Sequence, residues 1–277
     1  MLIPFTKMHG LGNDFVLIDQ RGSSFDLSSR QISAIADRRL GVGCDQVLVL
    51  APTTMNDAIG RYQIFNADGS SAEHCGNGVR CVAKFLLDAG EVQNSVFSLE
   101  VNGSTCELEI STDGLVRVEM GAPTFDPQRI PIATQELKDR YDISVGDSLT
   151  SFGCVSMGNP HAVTVVDHVE TASVDVIGKL LQDHCYFPSK VNVGFMQIVD
   201  EAHIRLRVFE RGVGETRACG TGACAAVAVG RLWGELASVV EVELKGGTLE
   251  IEWSGRQADS LQMTGPACRV FDGTIEL

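Results

Sequence analysis

The chain has 277 residues, of which 44% are hydrophobic and 21% charged, a composition typical of a globular protein. Its 36 acidic and 22 basic residues give a net charge of -14, so we expect no nucleic-acid partner. No uncharged segment is long enough to span a bilayer, and the N-terminus lacks the basic and apolar regions of a secretory signal. The nine cysteines are widely spaced. This spacing favours reduced thiols and a cytoplasmic location over a disulfide framework.

The sequence contains two copies of one pattern. The motif CGNG begins at Cys75, and CGTG begins 144 residues later at Cys219. Phe65 precedes the first cysteine by ten residues, and Phe209 precedes the second by ten. A fixed offset between several landmarks indicates duplication. We therefore expect two duplicated units, residues 1–119 plus 266–277 and residues 120–265.

The elements of the first unit are predicted in chain order from hydrophobic patterns. A strand is predicted at FVLID, and a capping box of Ser28 with Gln31 predicts the start of a helix. Strands follow at QVLVLA and RYQIF. After Cys75, apolar residues recur at helical spacing, which predicts a helix that begins at this cysteine. A hairpin of VFSLEVN with STCELEI closes the unit.

The second unit repeats this order. A strand at AVTVVD is followed by a helix near Ser173, by strands at VGFMQIV and IRLRVF, and by a helix after Cys219. The hairpin of VVEVELKGG with TLEIEW ends the repeat. The second cysteine helix, ACAAVAV, has no polar face, which indicates that a sheet surrounds it. The predicted fold is therefore α+β, with each unit a curved, barrel-like mixed β-sheet around a central helix.

The cysteine loops do not fit a metal or nucleotide site. On a helix, Cys75 and Cys81 lie about 240° apart and Cys219 and Cys224 about 140° apart, so neither pair shares a face, and we expect no metal. The segments GLGNDF, GVGCDQ and GVGETR all lack the third glycine of a dinucleotide motif. What remains is a helix N-terminus that faces an anion, most simply a carboxylate, through the backbone N–H groups of Gly76, Asn77, Gly220 and Thr221.

Thiol chemistry fits the duplicated cysteines better. A helix N-terminus favours the thiolate, so we expect lowered pKa values at Cys75 and Cys219. One sulfur could take a proton from one face of a carbon while the other returns a proton to the opposite face, which inverts a stereocentre. No lysine stands in a context that marks a Schiff base, so a cofactor-independent racemase or epimerase is predicted. A thiol redox protein with a reversible disulfide and a non-catalytic amino-acid binder stay open as alternatives.

Four segments, MHGLGNDFVLID, FNADGSSAEHCGNGVRC, MGNPHAV and RVFERGVGETRACGTGACAA, resemble the diaminopimelate epimerase family. The resemblance covers essentially the whole chain. It implies the fold of that family, interconversion of LL- and meso-diaminopimelate for lysine and peptidoglycan synthesis, a small-molecule substrate, no cofactor and a homodimer. A proline or hydroxyproline racemase-type enzyme is the alternative within the same fold.

The resemblance also implies roles for individual residues. Cys75 and Cys219 match the two catalytic acid/bases, which exchange roles with the direction of the reaction. The remaining matches are the carboxylate-binding residues Gly76, Asn77, Gly220 and Thr221; the residues for the distal end of the substrate, Arg211, Asn66, Asn159 and Asn192; the ligand contacts Asn13, Gln46 and Glu210; and the catalytic support residues His161 and Glu210. Cys44 and His74 depart from the usual family pattern, and either could alter thiol reactivity.

Overall fold

The structure, a computed structural model, describes residues 1–22, 26–72, 75–92, 96–146 and 148–277. The chain divides into two compact units, Met1–Glu119 with Thr264–Leu277 (unit 1) and Met120–Met263 (unit 2). Among the helices in the described ranges, none has both the length and the apolar character that crossing a membrane requires.

Runs of two or more strands separate the helices in both units. In chain order they are β1 (Leu2–Gly10), β2 (Asn13–Asp19), α1 (Ser29–Ala36), β3 (Gln46–Ala51), β4 (Arg61–Asn66), α2 (Gly76–Asp88), β5 (Val96–Val101), β6 (Ser104–Ile110), β7 (Val116–Gly121), β8 (Tyr141–Val145), β9 (Ser148–Ser156), β10 (Pro160–Val165), a 3₁₀ turn (Val169–Thr171), α3 (Val174–Gln182), β11 (Asn192–Asp200), β12 (His203–Glu210), β13 (Gly214–Glu215), α4 (Gly220–Leu232), β14 (Val239–Leu244), β15 (Gly247–Glu252), β16 (Leu261–Gly265) and β17 (Cys268–Glu276).

The strands of the two units pair in the same pattern. In unit 1 the order is β17-β1-β2-β3-β4-β5-β6-β7, with parallel pairs at β2–β3 and β4–β5 and antiparallel pairs elsewhere. In unit 2 the order is β8-β9-β10-β11-β12-β14-β15, with parallel pairs at β10–β11 and β12–β14 and antiparallel pairs elsewhere. The prediction of an α+β fold with two similar mixed sheets is confirmed.

Each sheet packs on one long helix. Helix α2 contacts β17, β1, β2, β3 and β4, and helix α4 contacts β9, β10, β11, β12 and β15. Because one helix contacts so many neighbouring strands, each sheet curves around it. In α4 only Thr221, Arg231 and Leu232 are not fully buried, as expected from the absence of a polar face.

Local signals placed some elements better than others. The capping box is present: Ser28 Oγ accepts a hydrogen bond from Gln31 N, and Gln31 Oε1 accepts one from Ser28 N. Ser173 is also an N-cap, but its side chain makes no capping hydrogen bond. The strands that the sequence did not predict are β1, β7, β8, β9, β13, β16 and β17. Strand β17 is exposed along nearly all of its length, so it lacks the alternation that marks a strand, and pairing with β1 holds it.

Candidate functional site

The two cysteine loops have the same backbone conformation. Cys75 is the N-cap of α2 with φ −120° and ψ 109°, and Cys219 is the N-cap of α4 with φ −123° and ψ 108°. The prediction that both helices begin at these cysteines is confirmed. The amide groups of Gly76 and Gly220 therefore belong to a first helical turn, whose N–H groups have no intrahelical acceptor.

The second glycine of each motif is required by packing. A Cβ atom at Gly78 would lie 2.4 Å from Tyr62 Oη, and one at Gly222 would lie 2.9 Å from Val208 Cγ2 and 3.2 Å from the sulfur of Cys219. Both distances to the neighbouring strand are shorter than real Cβ contacts. The Gly-x-Gly spacing thus lets each helix start lie directly on the strand beneath it.

Three predicted polar residues of unit 1 lie along one edge of its sheet. Asn13 and Gln46 begin the parallel strands β2 and β3, and Asn66 ends the antiparallel strand β4. Gln46 is paired in register with Asn66, and Gln46 Nε2 donates to Asn66 Oδ1 at 3.1 Å. Asn66 Nδ2 in turn donates to Ser70 Oγ at 3.1 Å. The strand pattern therefore places these side chains together although they are far apart in sequence.

Unit 2 places three residues at the corresponding points. Asn159 directly precedes β10, Asn192 begins the parallel strand β11, and Glu210 ends the antiparallel strand β12. Asn192 is buried; its Oδ1 accepts from Arg211 N at 2.8 Å and its Nδ2 donates to the Pro160 carbonyl at 3.0 Å. The Asn192 amide thus holds the backbone beside Arg211, and the bond to Pro160 uses one of its two Nδ2 hydrogens.

Cys75 lies beside a group of amides. Its Sγ is 3.7 Å from Asn13 Oδ1, and Asn77 Nδ2 donates to the same oxygen at 3.3 Å. Two residues that the sequence reasoning did not single out complete the group. Arg80 Nη2 donates to Asn77 Oδ1 at 3.0 Å, and Asn13 Nδ2 donates to Asp45 Oδ2 at 3.1 Å. A charged residue inside the apolar pattern of α2 was the available signal for Arg80, which is 0% exposed.

Cys219 has different neighbours. Its Sγ accepts from Gly222 N at 3.3 Å and lies 3.5 Å from Thr221 Oγ1. Burial, followed by the negative charge of Glu210, raises the pKa of the Cys219 thiol well above its ordinary value, while the bonds from Thr221 and Gly222 oppose this shift. The prediction of a lowered pKa is wrong for Cys219. The cause is that burial of Cys219, which is 5% exposed, removes solvation from the thiolate and outweighs the effect of the helix N-terminus.

His161 joins the same group in unit 2. It is 1% exposed, and burial together with the positive charge of Arg211 lowers its pKa to about 3, so the imidazole is neutral near pH 7. His161 Nε2 lies 2.9 Å from Asn159 Oδ1, and Asn159 Nδ2 donates to Thr221 Oγ1 at 3.5 Å. His161, Asn159 and Thr221 are thus linked in a row that ends beside Cys219.

The two departures from the family pattern have different outcomes. Cys44 is 2% exposed, and burial raises its pKa to about 11, so it is a poorly ionised thiol in the core of unit 1. His74 lies outside the described residues. Within the described ranges, no group of three or more His, Cys, Asp or Glu side chains is placed to hold a metal ion.

Comparison with known sequences identifies close relatives. The family profile described as "Diaminopimelate epimerase" matches residues 5–125 and 153–270. Proteins named diaminopimelate epimerase from Alkalilimnicola ehrlichii and Thioalkalivibrio sulfidiphilus are 51% and 49% identical to the chain, and each alignment covers 100% of both sequences. A protein of the same name from Azoarcus is 50% identical, again over 100% of both.

Comparison with solved structures shows the fold. A PhzF-family phenazine biosynthesis protein of Bacillus anthracis superposes with a TM-score of 0.69 at 16% identity, covering 100% of both chains. A hydroxyproline epimerase of Agrobacterium vitis superposes with a TM-score of 0.71 at 14% identity, covering 99% of this chain and 92% of the other. At these identities the likeness concerns the architecture alone.

Proposed function

The chain belongs to the diaminopimelate epimerase family, and on that basis we propose that it is an isomerase that interconverts LL- and meso-diaminopimelate without a cofactor, in the synthesis of lysine and peptidoglycan precursors. The observation that supports the mechanism most directly is the pair of cysteines that cap α2 and α4 with matching backbone angles. Inversion of one carbon requires two acid/base groups, because one takes a proton while the other supplies one to the opposite face.

The proposed reaction removes a proton from one face of the α-carbon and adds another proton to the opposite face. Cys75, as a thiolate, removes the α-proton, and the electron pair of the C–H bond passes into the substrate carboxylate as an enolate. The Cys219 thiol then gives its proton to the opposite face of the carbon. Its raised pKa agrees with this thiol carrying the proton at the start. Thiol and thiolate have then exchanged places, so the reverse reaction begins from the product state.

The enolate needs stabilisation beyond proton transfer. We assign this task to the first-turn amides of the two cysteine helices, Gly76 with Asn77 and Gly220 with Thr221. Fixed backbone donors bind the charge that develops on the carboxylate, and each such donor is worth roughly 10²-fold or more in rate.

The remaining residues are proposed either to keep Cys219 protonated or to bind the distal end of the substrate. The Glu210 carboxylate favours the protonated state of Cys219, and the neutral His161 orients the Asn159 amide. Arg211 is proposed to bind the distal carboxylate through its planar guanidinium. The other proposed ligand contacts are Asn13, Gln46, Asn66, Asn159 and Asn192.

The setting of the enzyme is part of the proposal. Family membership implies a small-molecule substrate. The net charge of -14 supports the absence of a nucleic-acid partner. We further propose a cytoplasmic homodimer without a membrane partner, for which the resemblance to the family is the support.

Solvent exchange tests the mechanism. LL-diaminopimelate incubated with the enzyme in D₂O should become the meso form with deuterium at the inverted α-carbon, and proline should not react. Cys75→Ala and Cys219→Ala should each lose inversion by at least roughly 10²-fold. The matched controls are Cys268→Ala in unit 1 and Cys185→Ala in unit 2, which remove exposed cysteines. Inversion at the wild-type rate in either active-site variant would refute the two-thiol mechanism, and a reaction with proline in place of diaminopimelate would refute the substrate.

A further inference from the structure

The Asn13 amide next to Cys75 has one defined orientation. Asp45 Oδ2 lies 3.1 Å from Asn13 Nδ2, and a carboxylate has no N–H to donate, so the amide nitrogen must face Asp45. The amide oxygen consequently points the other way. It accepts from Asn77 Nδ2 at 3.3 Å and lies 3.7 Å from the Cys75 sulfur.

Arg80 determines the same orientation from the other side. A guanidinium has no acceptor, so its bond of 3.0 Å to Asn77 Oδ1 turns Asn77 Nδ2 toward Asn13. Arg80 is 0% and Asn77 2% exposed, which leaves little room for another arrangement. Donors therefore run in one direction from Arg80 through Asn77 and Asn13 to Asp45.

Asp45 is held although its side chain is 45% exposed. Its Oδ2 also accepts from Asp14 N at 3.1 Å, and its Oδ1 accepts from Arg38 Nη2 at 2.7 Å. Asp45 N donates to Asp14 Oδ1 at 3.0 Å. Arg38 and Lys7 form ion pairs with Asp14, so the two neighbouring carboxylates are balanced by two cations. Both oxygens of Asp45 are thus fixed.

The equivalent amide in unit 2 is turned the other way. Asn159 presents its Nδ2 to the cysteine loop at Thr221, while its Oδ1 faces His161. The position that corresponds to Asp45, one residue before Asn192, is occupied by Val191, so the carboxylate is not duplicated. The two loops therefore share a backbone but differ in the partner that orients the neighbouring asparagine.

We propose that Asp45 is a positioning residue for the reaction: it keeps the Asn13 oxygen, and not the Asn13 nitrogen, directed at the Cys75 thiol. An oxygen beside the sulfur accepts a hydrogen bond from the S–H group of the thiol. It donates no hydrogen bond to the thiolate, so the thiolate stays a strong base. Without Asp45 the Asn13 nitrogen loses its acceptor, and the 3.3 Å bond from Asn77 is left to oppose rotation, so the amide presents N–H to the sulfur for part of the time. An N–H at the sulfur stabilises the thiolate and weakens it as a base. The effect on catalysis rests on the proposed function, whereas the orientation of the amide does not.

Alkylation tests the orientation without reference to epimerisation. Iodoacetamide labelling of the whole enzyme at neutral pH, followed peptide by peptide, gives the rate at Cys75 with Cys219 as an internal reference. Asp45→Ala should speed labelling of Cys75 by roughly fivefold, the effect of about one neutral hydrogen bond, and leave Cys219 unchanged. Asp45→Asn should stay within twofold of the wild type because its amide oxygen can still accept from Asn13. Asp45→Val, which also removes the acceptor and matches Val191 in unit 2, serves as a second variant if alanine impairs folding.

Activity then tests the consequence. At a pH high enough for Cys75 to be a thiolate in both proteins, the kcat for epimerisation should fall by up to roughly fivefold in Asp45→Ala, because the thiolate is a weaker base, and should recover in Asp45→Asn. The matched control is Asp57→Ala, which removes an exposed carboxylate of the same unit and should change neither quantity. The proposal is overturned if Asp45→Ala labels Cys75 at the wild-type rate, or if Asp45→Asn behaves like Asp45→Ala. A wild-type enzyme that does not epimerise diaminopimelate refutes the proposed function and leaves the labelling result decisive for the orientation.

Discussion

Replacing Gly78 by alanine places a methyl group against a buried tyrosine. The added Cβ would lie 2.4 Å from Tyr62 Oη and 3.1 Å from Leu48 Cδ2, whereas ordinary contacts begin at 3.4 Å. Tyr62 is 3% exposed, and its hydroxyl donates to the Cys75 carbonyl at 3.3 Å, so it cannot swing into solvent. The start of α2 and the strand beneath it have to separate.

The expected loss of stability follows from three contributions. Overpacking of this kind costs about 1–3 kcal/mol, and a lost or stretched hydrogen bond from Tyr62 costs about 1 kcal/mol. The higher helix propensity of alanine returns about 1 kcal/mol. The free energy of unfolding should therefore fall by about 2 kcal/mol, which corresponds to a decrease in Tm of roughly 4–8 °C.

Urea unfolding of a double-mutant cycle measures the effect. In the Tyr62→Phe background the hydroxyl is absent, so Gly78→Ala should cost less than about 1 kcal/mol. Gly22→Ala is the control, because a Cβ at Gly22 meets nothing within 4 Å. The packing explanation is wrong if Gly78→Ala is as stable as Gly22→Ala, or if Tyr62→Phe brings no relief.

Three further predictions concern acid stability, thiol reactivity and helix capping. His161 is protonated below about pH 6.5 in the unfolded chain but only near pH 3 in the folded chain. Lowering the pH from 7 to 5 should therefore reduce the free energy of unfolding by about 2 kcal/mol, a loss that the His161→Gln variant should not show. Equal losses in urea titrations of the two proteins would contradict this. Glu210→Gln removes a negative charge that raises the Cys219 pKa, so iodoacetamide should label Cys219 roughly tenfold faster, and an unchanged rate would count against the charge effect. Ser28→Ala should lower the free energy of unfolding by about 1 kcal/mol, while Ser173→Ala, which removes a serine without a capping bond, should have almost no effect; equal losses would show that capping is not the cause.

Local sequence patterns were sufficient to predict the helices and strands whose hydrophobic periodicity is strong. The helices after Cys75 and Cys219, the capped helix at Ser28 and the strands at the centre of each sheet were all predicted, because their hydrophobic periodicity is set by neighbouring residues. Strand β17 could not be found in this way. It is held by pairing with β1, as in the bond from Thr6 to Asp272 across 266 residues, and such pairing leaves no local pattern.

The residues of the candidate site likewise fall into those that the sequence predicted and those that only the structure revealed. The cysteine motifs and their resemblance to a family named the thiols and most of their neighbours, but they did not name Asp45 or Arg80. Those two residues matter through hydrogen bonds that only the folded chain makes, since Asp45 reaches Asn13 across 32 residues.

The amino-acid sequence by itself determined the duplication, the helices that begin at Cys75 and Cys219, and the pairing of one thiol with each repeat. The tertiary structure alone decided how the two thiols differ. Burial beside Glu210 holds the proton on Cys219, and a chain of donors ending at Asp45 orients the amide beside Cys75. The reason is that ionisation and amide orientation depend on solvent exclusion and on partners distant in sequence, which a repeated motif does not encode.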